Sequence, residues 1–193
     1  MRLVSSHELS DEQCLEIAAL HLKSLPWTFN SKQGLPHMTR LYQSLQSLPF
    51  VGVLAIISDG KIVSSVSWTD DLVALKRHLR KKFWKSFFLY SLRHPVHVLK
   101  FVFYDRFTTR TLGRGSSSAY LLTLFTDSNF RGKGLASILI NTMVNAIPKG
   151  TNEVFVDVAF EASAALAVYR YFGFKIVAQN SKCWMLKLDL GDR

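Results

Sequence analysis

The chain has 193 residues, 48% of them hydrophobic and 20% charged, with five prolines. That composition excludes a disordered, collagen-like or low-complexity chain and suits one domain with a full core. The formal net charge of +10 is concentrated: residues 76–114 carry eleven Lys/Arg against the single acid Asp105, and the rest of the chain carries thirteen of each sign.

In chain order, residues 2–5 read as a short first strand. Ser10 with Gln13 three residues on is a capping-box start, and Leu15, Ala18, Ala19 and Leu22 follow at helical spacing as the expected buried stripe. This helix should stop near Leu25, ahead of Pro26. A second helix is expected over residues 36–48, burying Met38, Leu41, Leu45 and Leu48. Residues 51–58 and 61–68 read as two strands joined at Asp59-Gly60, a pair suited to the positive φ of a tight hairpin turn. Residues 71–114 read as an insertion of two helices. Leu75, Leu79, Phe83 and Phe87 recur every fourth residue; after Pro95, the residues His97, Lys100, Phe101, Tyr104 and Phe107 resume a helical pattern. A polar link at 113–118 leads to a strand at 119–126, a loop, and a helix at 134–147. A strand at 153–160, a helix at 162–172 closed by Gly173, and strands at 174–178 and 182–190 complete the chain. This mixed order predicts an α/β domain around a central sheet.

The most informative local pattern is Asn129-Phe130-Arg131-Gly132-Lys133-Gly134-Leu135-Ala136, between a predicted strand and a predicted helix. A glycine-rich turn there aims free backbone N–H groups at one point, the helix dipole adds positive charge, and Arg131 and Lys133 add full charges. The ligand for such a turn is a phosphate or pyrophosphate. A Walker A loop is excluded, because Gly134 and not Ser/Thr follows Lys133. A dinucleotide fingerprint is excluded as well, because Ser137 stands where a third Gly or Ala is required. Arg131, Gly134 and Ala136 satisfy a third pattern, [Arg/Gln]-x-x-Gly-x-[Gly/Ala], and one strand later comes Ala165-Leu166-Ala167-Val168-Tyr169-Arg170-Tyr171-Phe172-Gly173-Phe174. In both motifs, and in their spacing, the chain resembles the GNAT superfamily of acyl-CoA-dependent N-acetyltransferases. The likeness covers residues 120–188 well and the first half more loosely.

The resemblance implies a single GNAT-like domain over residues 1–193, with the basic insertion at about 71–114. Its sheet would be twisted and mostly antiparallel, with helices on both faces, and would splay between the strands at 119–126 and 153–160. Acetyl-CoA, or another acyl-CoA, would be the cosubstrate. Its pantetheine arm would run along Leu124, Phe125 and Thr126, whose N–H groups could also stabilise an oxyanion. Its pyrophosphate would sit on Arg131, Gly132, Lys133, Gly134, Leu135 and Ala136. Tyr169 would be the general acid for the leaving thiolate, and the acceptor amine would attack directly. Tyr171 is offset from the motif position. Glu161 and His21 are the candidate bases, alongside a water relay. Two positions depart from the family's pattern: Ala162 stands where members often carry a cofactor-holding Asn, and Ser128 where Pro is common.

The acceptor is expected to be an amine of a small molecule or a sugar. The insertion can be read as a solvated charged face, a membrane contact or a nucleic-acid contact. Its aromatic and apolar content favours an anionic membrane surface, or a lipid-linked acceptor, over nucleic acid. The alternative function is a catalytically inactive GNAT-like module that binds membrane or polyanion through residues 76–114. Cys14 and Cys183 are expected as buried thiols in a reducing cytoplasm. No apolar run opens the chain, so no signal peptide is expected. The protein is therefore expected in the cytoplasm, at most peripheral to the inner face of the membrane. The histidines show no ligand spacing with carboxylates or cysteines, so no metal is expected. Oligomeric state, acyl length and the acceptor's identity are not legible.

Overall fold

The described strands, most of them rich in Val, Ile and Leu, are β1 (Arg2–Ser5), β2 (Val51–Ser58), β3 (Lys61–Thr69), β4 (Ser118–Thr126), β5 (Glu153–Ala159), β6 (Lys175–Gln179) and β7 (Cys183–Asp189). In the computed structural model, which describes residues 1–93, 117–180 and 182–191, they form one sheet in the order β1-β2-β3-β4-β5-β7-β6. The pairs β1–β2, β2–β3, β5–β7 and β6–β7 are antiparallel. The helices among the described residues are α1 (Asp11–Ser24), α2 (Leu35–Leu45), α3 (Leu72–Arg93), α4 (Leu135–Ala146) and α5 (Ser163–Tyr171). This is the mixed α/β class, with a mostly antiparallel open sheet. The chain divides into two compact units, Met1–Thr69 with Leu121–Ile147 and Asp70–Tyr120 with Pro148–Arg193.

In the first unit the β2–β3 hairpin turns at Asp59 (φ 52) and Gly60 (φ 75), as that dipeptide requires. α1 opens with the expected reciprocal cap: Gln13 N donates to Ser10 Oγ at 3.2 Å and Ser10 N donates to Gln13 Oε1 at 2.9 Å. Its buried face is not the expected one. Cys14, Ile17, Ala18, Leu20 and His21 face inward, while Leu15 and Ala19 are exposed and Leu22 is half-buried. The true stripe runs through positions 14, 17, 18 and 21, and counting only aliphatic residues shifted it by one. α1 packs on α2 and on β3, and those two contacts set its rotation. α2 buries Met38, Leu41, Tyr42 and Leu45 and ends three residues before the expected stop, leaving Leu48 half-buried in the following turn.

β3 lies inside the sheet and is buried on both faces from Ile62 to Thr69. Its serines are tolerated because each hydroxyl has a partner. Ser64 Oγ donates to Phe125 O at 3.0 Å, Ser65 Oγ donates to Leu54 O at 2.9 Å, and Ser67 Oγ lies 2.7 Å from Thr123 Oγ1. α4 packs on β2 and β3 through Leu135, Leu139, Ile140 and Met143.

In the second unit β5 and β7 pair from Glu153↔Asp189 to Ala159↔Cys183. Gly173, at φ 87, closes α5 in the left-handed conformation, with its N–H on Arg170 O at 2.9 Å. The expected apolar series of α3 begins with buried Leu75 and half-buried Leu79 and Phe83. It is interrupted at Phe83, whose φ of −110 and ψ of 16 are non-helical. The expected second insertion helix lies outside the described residues.

Candidate functional site

In the first unit the candidate residues lie on and around the turn between β4 and α4. β4 ends at Thr126, and Asp127 caps the short 3-10 turn Ser128–Phe130 by accepting from Asn129 N at 2.9 Å. Lys23 of α1 pairs with Asp127 at 2.9 Å. That ion pair and the Asn129 N–H hold the Asp127 carboxyl below the usual carboxylate range. The chain then passes through Gly132 (φ 75) and Gly134 (φ 74), both in the left-handed region that glycine alone adopts readily. No heavy atom lies within 4 Å of where a Cβ would stand on either, so both open onto space. The first bond of α4 runs from Ile138 N to Gly134 O. The N–H groups of Leu135, Ala136 and Ser137 thus have no helical partner and are available to an anion. Arg131 and Lys133 are exposed. Arg131 Nε reaches Thr126 O at 3.4 Å, and Lys133 Nζ lies 4.6 Å from the centroid of Phe130. Open glycines, free amides and two cations on one turn fit a pyrophosphate.

His21 reaches the same unit's β4. Its ring lies 5.2 Å from that of Phe125, so the structure brings this candidate together with the strand expected to carry the pantetheine arm. A chain of polar groups that the sequence reading missed holds the imidazole. Nδ1 of His21 is 2.7 Å from the Tyr42 hydroxyl. Tyr42 also hydrogen-bonds the Thr123 side chain, and Thr123 Oγ1 is 2.7 Å from Ser67 Oγ. Burial lowers the His21 pKa to about 4, so the ring is neutral near pH 7. Its Nε2 is buried and has no hydrogen-bond partner among the described residues. Burial also pushes the Tyr42 phenol above its usual range.

In the second unit the candidate residues lie on α5 and in the turn before it. Tyr169 is 4% exposed, with its ring edge-on to Phe174 at 5.3 Å. The Gly173 turn brings Phe174 back onto it, and Phe174 N donates to Tyr169 O at 3.1 Å. Glycine and phenylalanine of the sequence motif therefore have a mechanical role: they seat the tyrosine. Burial raises the Tyr169 phenol above its usual range, so it stays protonated. Its hydroxyl makes no hydrogen bond to a described residue, whereas Tyr171 is 83% exposed. Glu161 is a solvent-exposed carboxylate in the turn after β5. Ala162, at the position of the missing Asn, is the N-cap of α5 and makes no side-chain cap bond. The Tyr120 hydroxyl donates to Asp157 Oδ2 in a short hydrogen bond linking β4 to β5. Among the described residues no cluster of His, Cys, Asp or Glu could hold a metal ion.

The profile of the acetyltransferase (GNAT) family matches residues 19–174. The chain belongs to that family, whose members take an acetyl group from acetyl-CoA. Solved structures with the same fold include the PaiA N-acetyltransferase of Thermoplasma acidophilum in complex with coenzyme A, at 13% identity and TM-score 0.64, covering 98% of this chain and 99% of that one. The ribosomal-protein-S18-alanine N-acetyltransferase of Escherichia coli matches at 12% identity and TM-score 0.60, with 98% and 94% covered. NAA60 of Arabidopsis thaliana, solved with a bisubstrate analogue, matches at 13% identity and TM-score 0.62, with both chains fully covered. No curated protein sequence matches.

Proposed function

We propose that the protein is an N-acetyltransferase that moves an acetyl or other short acyl group from acyl-CoA to a primary amine, with Tyr169 as general acid. The observation that carries the reading is the turn at Gly132–Gly134, where open left-handed glycines and the unpaired N–H groups of α4 make a seat for a pyrophosphate. The amides of Gly132, Gly134, Leu135 and Ala136 bind its oxygens, with Arg131 and Lys133 as counter-charges. Leu124, Phe125 and Thr126 hold the pantetheine arm.

The amine nitrogen attacks the thioester carbon directly. As the carbon–sulfur bond breaks, the electron pair goes to sulfur, Tyr169 gives its phenolic proton to the departing thiolate, and the resulting phenolate recovers a proton from solvent before the next turnover. The amine's surplus proton leaves through water, with the exposed carboxylate of Glu161 as its acceptor. His21, kept neutral by the burial that lowers its pKa to about 4 and fixed by Tyr42, serves as a hydrogen-bonding group beside Phe125, while the exposed Glu161 can pass a proton on to solvent. Family members act on amines of small molecules or proteins, and the acceptor we put first is an amino sugar or a polyamine.

Calorimetric titration with acetyl-CoA tests the cofactor site. An amine screen that follows release of the free CoA thiol then tests the activity, starting with amino sugars and polyamines. Binding with turnover on one amine class is the expected result. Failure of well-folded protein to bind acetyl-CoA would overturn the reading and leave the inactive, membrane-binding module in its place.

A further inference from the structure

A helix with seven Lys/Arg and no acidic residue is expected to turn its apolar side inward and present only charge to water. α3 does not. Leu75 is buried and Leu79 and Phe83 are half-buried, yet Val73, Trp84, Phe88 and Leu92 are 60%, 58%, 55% and 66% exposed. Beyond the break at Phe83, the residues Trp84, Phe88 and Leu92 recur every fourth position and form one ridge on the helix surface. Lys85 flanks that ridge three residues before Phe88, and Lys81 lies two residues before the break at Phe83. Arg77 sits one turn before Lys81, and Arg77, Lys81, Lys82 and Lys85 are all exposed. The Lys85 ammonium lies 5.8 Å from the centroid of Trp84, so cation and indole share one patch of surface.

An apolar ridge in water is unfavourable, and a row of cations without acids repels itself. A single partner relieves both: a layer with negative phosphates outside and hydrocarbon beneath. Among the described residues no helix is long and apolar enough to cross a membrane, so the helix would lie on the bilayer rather than span it. Nucleic acid would use the cations and the two aromatic rings but leave Leu92 and Val73 against water.

We propose that the outer face of α3 docks on an anionic bilayer, with Trp84, Phe88 and Leu92 entering the headgroup–acyl boundary and Arg77, Lys81, Lys82 and Lys85 meeting the lipid phosphates. The inference is independent of acyl transfer. It holds for an active enzyme working at a membrane and for an inactive module alike.

The test is sedimentation of the full chain with vesicles of phosphatidylcholine alone, or of phosphatidylcholine with about a quarter phosphatidylserine. Each basic residue at an anionic surface is worth about fivefold in partitioning, so a triple Lys81→Gln, Lys82→Gln, Lys85→Gln variant should lose about 100-fold. A triple Trp84→Ala, Phe88→Ala, Leu92→Ala variant should lose at least about tenfold. Tryptophan emission should shift to the blue on binding in wild type and not in Trp84→Phe, which keeps the apolar bulk. Circular dichroism and acetyl-CoA titration of each variant confirm the fold and separate this inference from the proposed activity. Wild type that ignores the anionic vesicles, triple variants that sediment like wild type, or binding abolished by single-stranded RNA without an emission shift would each overturn the proposal.

Discussion

Gly134 and Gly150 allow the pyrophosphate site to be tested against its own control. Both glycines are left-handed, at φ 74 and φ 90, and a Cβ on either meets no heavy atom within 4 Å. A glutamate at either position therefore costs about 1–2 kcal/mol of backbone strain and no steric overlap. The surroundings differ. Gly134 is the N-cap of α4, whereas Gly150 lies in the turn that precedes β5. A carboxylate about 5 Å from a bound phosphate repels each unit of its charge by about 0.8 kcal/mol in a water-like dielectric and by about 3 kcal/mol at an effective dielectric of about 20. Gly134→Glu should therefore weaken acetyl-CoA binding by about tenfold or more, while Gly150→Glu stays within about twofold of wild type. Isothermal titration at low salt measures both, and denaturant melts should show the two variants destabilised to a similar extent. Raising the salt should narrow the difference in affinity, because the loop is exposed and its charges are screened. If both variants bind like wild type, the turn does not hold the pyrophosphate. If both lose affinity equally, backbone strain and not charge is responsible.

Two further outcomes follow from buried groups. His21 has a folded pKa of about 4 against a reference of 6.5. Between those values the unfolded chain takes up a proton that the folded one refuses, so this residue should cost stability as pH falls from about 6.5 to 4, by about 3 kcal/mol in total, with no effect above that window. Urea melts of wild type and His21→Gln at pH 7.5, 5.5 and 4.5 should show a flatter dependence in the variant; parallel curves would mean that His21 is charged in the fold. Gly52 faces the buried indole of Trp68, and a Cβ there would lie 2.0 Å from Cζ2 and 2.3 Å from Cε2. Gly52→Ala should cost about 3 kcal/mol and lower Tm, and adding Trp68→Leu should cost less than it does alone, because the blocking ring is gone. Simple additivity of the two changes would show that the ring is not what excludes the methyl.

Features that depend on a few adjacent residues were legible in the sequence. Asp59-Gly60 announced the hairpin, Gly132 and Gly134 announced the open turn before α4, and Gly173-Phe174 announced the turn that closes α5. The seat of His21 was not legible. Tyr42 lies on another helix and Thr123 on a strand far along the chain, and nothing in their local sequences marks them as partners. The same limit hid the rotation of α1, whose inward stripe includes a cysteine and a histidine that a count of aliphatic residues leaves out. It also hid the burial of both faces of β3, where neighbouring strands supply Leu54 O, Phe125 O and the Thr123 hydroxyl as partners for three serines.

Burial at Tyr169 bears directly on whether it can act as an acid. In water a phenol near 10 giving its proton to a thiolate near 8.5 is uphill by about 2 kcal/mol, and burial that raises the phenol further by itself makes the transfer harder. Desolvation acts on both partners, however. A thiolate released into the same apolar surroundings is a stronger base than in water, so the difference between them need not widen. The raised phenol gains a second property, since it remains protonated up to at least about pH 10, through the range in which an acceptor amine loses its proton. With an accepted amine, kcat/KM should therefore rise as the amine loses its proton and should not fall again below about pH 10. Tyr169→Phe should reduce kcat by about 10²–10⁴-fold with the Kd for acetyl-CoA unchanged. Its stability should stay within about 1 kcal/mol of wild type, since the hydroxyl has no described hydrogen bond to lose. A phenylalanine variant within threefold of wild-type kcat, or an alkaline fall in wild type well below pH 10, would assign the proton to another donor.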